Sequence, residues 1–398
     1  MIRRFGAALL ALGVVAAAWL IGSTALWVLG LGLVLAYGAA RLWATLVERS
    51  LSVERAPLAS APVEGGVLRL EARVRGHRWL ASRIEWRDRI GMFGEQAAPV
   101  TRGGRVRLVL EAAPRGRYVL GPGRLLADDP LGLIRVAVPA PTEASVLVRP
   151  RVPELGTLFT DQGTWSDGGR RANARRPSGL EPHGVRDYVE GEPLRAVHWP
   201  TSARRGELMV RELEDAPRDS VAVVLDVDAA SQAGPRGDSS LDEAVRAAAG
   251  LLRAYAARSR RALLVIGARS PLTMRVHALG RDWQEALDAL AAVEPVEGAP
   301  LAQLLTARAA TASVPELVVV TARPAIVANP LVARATSGRT SALVFVDAAT
   351  YAGRSPSAPS ATLTRLAGAG VQIAVVRRGD SLPAALGTLR TKVTAASG

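Results

Sequence analysis

The chain has 398 residues, with 50 Lys or Arg against 36 Asp or Glu for a formal charge of +14, and Lys392 is its single lysine. A Walker A loop needs a lysine that reaches nucleotide phosphates from just before a Ser or Thr at a helix start, so the chain is not itself a P-loop ATPase. The absence of cysteine excludes disulfides, thiol nucleophiles and thiolate zinc sites, and four histidines remain for any imidazole chemistry.

The first element in chain order is apolar. From Phe5 to Ala40 no residue is charged. As one helix this stretch would run about 54 Å, against a hydrocarbon core of about 30 Å, so it is predicted to span a membrane twice. The break falls at Gly22-Ser23-Thr24, which places Trp19 and Trp27 near one interface and Tyr37 and Trp43 near the other. Arg3 and Arg4 precede the segment, and Arg41, Arg49 and Arg55 follow it, with no cation in the turn. The positive-inside rule then puts both ends in the cytoplasm. A cleaved signal peptide fits less well, because the run exceeds a normal apolar region and no A-x-A site followed by polar sequence is present. The expectation is a multi-pass plasma-membrane protein with a transmembrane helical hairpin over residues 1–45 and its body in the cytoplasm.

Residues 50–150 read as a small antiparallel β-sandwich. VLRLEARV, SRIEWRD, RVRLVLEA and SVLVRP alternate apolar with polar residues, and Gly-Gly pairs and prolines punctuate them. Residues 151–217 are irregular and rich in Gly and Arg. Over 218–398 the pattern becomes strands separated by helices: VAVVLDV, ALLVIG, ELVVVTA, SALVFVD and VQIAVVR, with LDEAVRAAAGLLRAYAARS and DWQEALDALAAV among the helices. Continuous apolar strands alternating with helices predict a doubly wound α/β fold on a parallel sheet. Ligands in such sheets bind beyond the carboxyl ends of the strands, which directs attention to Asp226 and Asp228.

Two stretches carry a family resemblance. PRGRYVLGPGRLLADDPLGLIRV (114–136) and HGVRDYVEGEPLRAVHWPTSARRGELMVRELE (183–214) resemble signatures of the DUF58 membrane proteins, the second being the central motif. The resemblance covers the chain in order: a two-helix anchor, a β-domain, the motif, then a domain similar to von Willebrand factor A. One departure is Glu192, where the family usually has Asp after Tyr-x-x-Gly, here Tyr188 and Gly191. The resemblance implies no established enzymatic activity. It does imply a partner, an AAA+ ATPase of the MoxR type, for which proteins with A-domains commonly act as adaptors.

A von Willebrand A-domain often holds Mg²⁺ through Asp-x-Ser-x-Ser after its first strand, with a threonine and an aspartate from later loops. Hard oxygen ligands are what Mg²⁺ requires. This chain reads Asp226-Val227-Asp228-Ala229-Ala230, and Thr321-Ala322-Arg323 stands where the later carboxylate is expected. An arginine there repels a cation, so the site is expected to be degenerate, with Asp226 and Asp228 capping the following loop or pairing with an arginine. No metal or other cofactor is expected.

The central motif is a dense polar cluster: His183, Arg186, Asp187, Tyr188, Gly191, Glu192, Arg195, His198, Trp199, Ser202, Ala203 and Arg204. Three readings stand open. As a partner-binding surface, it presents ordered polar groups to another protein. As a structural network, Arg186, Arg195 and Arg204 pair with Asp187, Glu190 or Glu192, and Trp199 anchors the loop in the core. As the centre of a membrane-bound hydrolase or transferase, His183 or His198 with Asp187 or Glu192 forms an acid/base pair, although no nucleophile in a diagnostic setting accompanies it. The run Gly169–Arg176 carries four arginines without an acid, suited to a solvated loop or to anionic lipid. Nucleic acid is not expected as a partner, because few aromatics interleave with the cations and no recognised module is present. The leading expectation is a membrane-anchored adaptor.

Overall fold

The computed structural model describes residues 2–56, 61–77, 81, 83–111, 113–130, 134–140, 144–156, 158, 182–187, 197, 199–213, 220–268, 270–299, 301–307, 311, 314–358 and 360–387. They form two compact units, Met1–Arg149 and Pro150–Gly398.

The first unit begins with a helical hairpin, α1 (Ile2–Ile21) and α2 (Thr24–Ser50). The break falls where the sequence reading puts it. Gly22 takes a positive φ of 67°, which a side chain would resist, and Ser23 caps α2 by accepting from the Leu26 N–H. Small residues make the contact between the helices: Ala11 and Ala18 are buried on α1, and Gly30 on α2 is so close that an added Cβ would lie 2.8 Å from the Val15 Cγ2. Large apolar residues, among them Leu12, Trp19, Leu20, Val28 and Leu35, face outward. Helix α2 is long and apolar enough to cross a membrane, whereas Leu9–Ile21 is a shorter apolar stretch.

Ala44, Val47 and Leu51, at the far end of α2, join the core of a β-sandwich. One of its sheets is β1 (Ser52–Arg55), β2 (Leu68–Arg75) and β5 (Arg105–Leu110). The other runs β8 (Arg135–Ala140), β7 (Gly123–Asp128), β3 (Arg83–Ile90), β6 (Gly116–Leu120) and β9 (Ala144–Val148), with β4 (Gly94–Pro99) also paired to β3. All these pairings are antiparallel, and β5 and β8 alternate outward and inward residues at every position, the period-two signature of a strand with one wet face. Trp86 on β3 fills the centre. Gly123 gives it room, since an added Cβ there would come within 2.3 Å of the indole ring.

The second unit is built on a six-stranded sheet in the order β14 (Leu272–Val276), β13 (Ala262–Ile266), β12 (Val221–Leu225), β15 (Glu316–Thr321), β16 (Thr340–Val346) and β17 (Gln372–Val376). Five strands are parallel, as their continuous apolar runs predict, and both faces of the sheet are covered. Helices α4 (Ser240–Ala257) and α5 (Arg281–Ala291) pack with Val221, Val223 and Leu225, and α6 (Leu301–Ala307), α7 (Pro324–Thr336) and α9 (Ala361–Gly368) pack with Ala222 and Val224. Short helices α8 (Ala348–Tyr351) and α10 (Leu382–Gly387) complete this unit. The expectation of a parallel sheet needs one correction. β14 is antiparallel to β13 at the edge, where mostly exposed Leu272, Thr273 and Arg275 leave no apolar run to read. The motif region forms a separate two-stranded ribbon, β10 (Pro182–Asp187) with β11 (Met209–Leu213), joined through the short helix α3 (Trp199–Arg205).

Candidate functional site

The strand order of the second unit reverses between β12 and β15, because the chain runs from β12 through β13 to β14 on one side and then returns to β15 on the other. Loops diverging at such a point open a crevice at the carboxyl ends of the strands. Four residues of this chain meet there. Asp226 and Asp228 follow β12 and are 2% and 5% exposed, Thr321 ends β15 and is buried, and Arg323 precedes α7. The Thr321 hydroxyl donates to Asp226 Oδ2 at 2.6 Å. Arg323 Nη2 lies 2.9 Å from Asp228 Oδ2 and 3.5 Å from Asp226 Oδ1, so one guanidinium bridges both carboxylates.

The local backbone completes the arrangement. Asp226 Oδ1 accepts from the Asp228 N–H at 3.1 Å and Asp228 Oδ1 from the Ala230 N–H at 2.9 Å, the side-chain-to-backbone turns that aspartate favours in loops. Burial alone would raise the Asp228 carboxyl. Hydrogen bonds from Ala230 N–H and Arg323, the Arg323 charge, and a bond from the Ala299 backbone outweigh it and hold the group below the usual carboxylate range. The Arg323 side chain is 24% exposed, and its Nε is buried without a hydrogen-bond partner.

Arg323 bridges Asp226 and Asp228, and both aspartates also accept from backbone N–H groups of the loop. Among the described residues, no three His, Cys, Asp or Glu side chains gather into a group that could hold a metal ion. Beside this crevice Asp347, at the end of β16, is buried and spends its oxygens on Ser357, accepting from its N–H at 2.8 Å and its hydroxyl at 2.6 Å. Asp238 of the Arg236-Gly237-Asp238 tripeptide is bound to Arg378.

The central motif folds back on itself. Its two ends pair antiparallel, with Arg186 opposite Val210 and Asp187 opposite Met209, and the register shifts between Pro182 and Gly184, at His183. Ser202, buried on α3, accepts from the Met209 N–H at 2.8 Å and ties the helix to β11. That gives Ser202 a structural partner in its own motif. Ala203 and Arg204 are exposed on the same helix, with Arg205 beside them. Trp199 corrects one expectation. It is 60% exposed and does not anchor the loop in a core. Met209 is the buried residue instead, while Trp199 and Leu208 are both exposed. Tyr188, Gly191, Glu192, Arg195 and His198, and the arginines of 169–176, lie outside the described residues.

One buried charged pair escaped the sequence reading altogether. In the first unit Arg55 Nη2 donates to Asp88 Oδ1 at 3.0 Å, to Asp88 Oδ2 at 2.9 Å and to the Gly121 carbonyl at 2.6 Å. The available signal was an aspartate in phase with inward Trp86 and Ile90 on one strand.

Residues 184–321 match the model of the family described as "Protein of unknown function DUF58", from Gly184 in the ribbon to Thr321 at the switch point. The match supports that family and runs from the ribbon to the end of β15, stopping short of Arg323. No curated protein matches the chain. Among solved structures, the PKD domain of the human VPS10 domain-containing receptor SorCS2 aligns at 17% identity over 27% of this chain and 77% of that one, with a TM-score of 0.18, too low to carry any argument.

Proposed function

We propose that the protein is a membrane-anchored adaptor whose cytoplasmic body engages an AAA+ ATPase of the MoxR type. The observation that carries this reading is Trp199, largely exposed inside the motif beside exposed Arg204 and Arg205. Trp and Arg dominate the few residues that supply most binding energy in protein interfaces, and a folded protein gains nothing for its own stability by holding an indole in water. The second unit is read here as von Willebrand factor A-like, and its switch-point aspartates are bridged by Arg323.

The hairpin supplies the anchor. Its small residues face each other and its large apolar residues face outward, the reverse of a water-soluble pair of helices and the arrangement favoured in lipid, where close backbone approach drives helix association.

The test is co-purification from gently solubilised membranes of cells that carry the chain. A MoxR-type ATPase is expected with the unaltered protein and is expected to be lost with the double substitution Trp199→Ala, Arg204→Ala, while the melting of the second unit stays unchanged. Failure to recover such an ATPase with the unaltered chain, or its retention by the double variant, overturns the reading.

A further inference from the structure

The β-sandwich of the first unit holds a half-open pocket that no role described so far uses. Its volume is about 150 Å³, and it lies between the two sheets, with Ala72, Val106 and Leu108 on one wall and Trp86, Leu120 and Val146 on the other. The strand registers explain the space. Arg55 pairs with Ala72 across β1 and β2, and Ala72 pairs with Val106 across β2 and β5, so the small Ala72 lies in one row with the long Arg55, whose guanidinium reaches Asp88 of the opposite sheet. Arg55 reaches across the sandwich to that aspartate, and its guanidinium lies over the Trp86 ring at 5.9 Å from the centroid. An ion pair thus stands where an apolar side chain would otherwise have filled the gap.

Charge around the cavity balances. Arg55 and Asp88 neutralise each other, and Glu71 at the rim is held by Arg107 at 3.0 Å. A charged guest would find no uncompensated partner and would lose its hydration on entering, whereas a neutral apolar one loses little and gains contact with the aliphatic walls and the indole. Engineered apolar cavities of about 150 Å³ take up a benzene-sized molecule. Replacing a buried ion pair such as Arg55–Asp88 by apolar residues is often neutral or stabilising, so stability alone does not account for the pair beside this pocket.

We infer that this cavity is a binding site for a small, neutral, apolar molecule of about the size of a benzene ring. The guest enters past exposed Ser145, which lines the cavity on β9, and lies flat between Ala72 and Trp86. Binding draws the two sheets together and slows the opening of β2 and β5.

The experiment uses the full chain in lipid nanodiscs, free of detergent, with fluorobenzene as the probe. Fluorine line broadening reports binding, and hydrogen exchange of the β2 and β5 amides reports its effect. Ala72→Leu, which fills the cavity from one wall, is the comparison, and Ala144→Leu fills it from the other sheet in case the first variant does not fold. Partitioning of the probe into lipid is common to all three proteins and cancels. The unaltered chain is expected to broaden the line and to lower amide opening in β2 and β5 severalfold as probe is added, with both effects absent from a folded filled variant. Equal responses in the unaltered and filled proteins overturn the inference.

Discussion

Each unit buries aspartate against a single arginine, and the two arrangements differ in what else holds the carboxylate. In the sandwich, Asp88 is 3% exposed and depends on Arg55, itself 13% exposed, for its ion pair. Burial pushes its carboxyl above the usual range despite the Arg55 charge and hydrogen bonds and lesser bonds from the Arg89 backbone and Trp86. At the switch point, Asp228 draws on backbone N–H groups of Ala230 and Ala299 as well as on Arg323, and its carboxyl is held below the usual range. The balance between burial and the bonds that favour the charged carboxylate decides the sign. At Asp88 burial outweighs the Arg55 pair, the Arg89 amide and Trp86, whereas at Asp228 the loop amides and Arg323 outweigh burial. Asp88 has one arginine to itself, and Asp228 shares Arg323 with Asp226.

The strongest way to break this comparison is to remove each arginine in turn. Arg55→Ala leaves Asp88 buried with its ion pair gone and is expected to cost about 3 to 5 kcal/mol, the loss typical of a broken buried pair. Urea denaturation followed by the exchange of β3 amides reads it. Arg323→Ala is expected to cost less, about 2 kcal/mol, because Thr321 and the loop amides remain on Asp226 and Asp228. A larger loss at Arg323 than at Arg55 would reverse the argument. Arg323→Ala sharpens it in a second way: with the guanidinium gone, two buried carboxylates face one another, and millimolar Mg²⁺ should raise the melting temperature of the variant while leaving that of the unaltered protein unmoved.

The smallest expected effect is on pH dependence, and it has opposite signs in the two units. The folded state holds the Asp88 proton more tightly than the unfolded chain does. The sandwich should therefore gain stability as pH falls through the raised value toward about 4, and Asp88→Asn should remove that gain. Asp228 contributes stability that is fully present above about 4 and lost as pH falls below it through the lowered value, and Asp228→Asn should remove that loss. Opening free energies from hydrogen exchange, corrected for intrinsic rates and followed for each unit between roughly neutral pH and pH 3, would show the two slopes; slopes of the same sign would end the comparison.

Much of this was legible in local pattern. The hairpin break at Gly22-Ser23 could be read because a helix cannot continue easily through glycine followed by a capping serine. The parallel strands β12, β13, β15, β16 and β17 announced themselves as apolar runs, since a strand covered on both faces needs no polar side. β14 could not be read, because an edge strand keeps one side to solvent and its LTMRV composition resembles a loop. The ribbon hid for a related reason: β10 and β11 pair across an intervening stretch whose polar residues carry no period.

By itself, then, the sequence determined the order of the parts: an apolar hairpin, alternating strands, a polar motif and a doubly wound sheet. Each of these depends on the spacing of residues along one segment. Only the tertiary structure decided that Trp199 lies in water while Met209 takes the buried place, that Arg55 crosses the sandwich to Asp88, and that Ala72 faces a void. These outcomes depend on which side chains two distant segments bring to the same point, and burial, the energy that settles them, is a property of that meeting rather than of either segment alone.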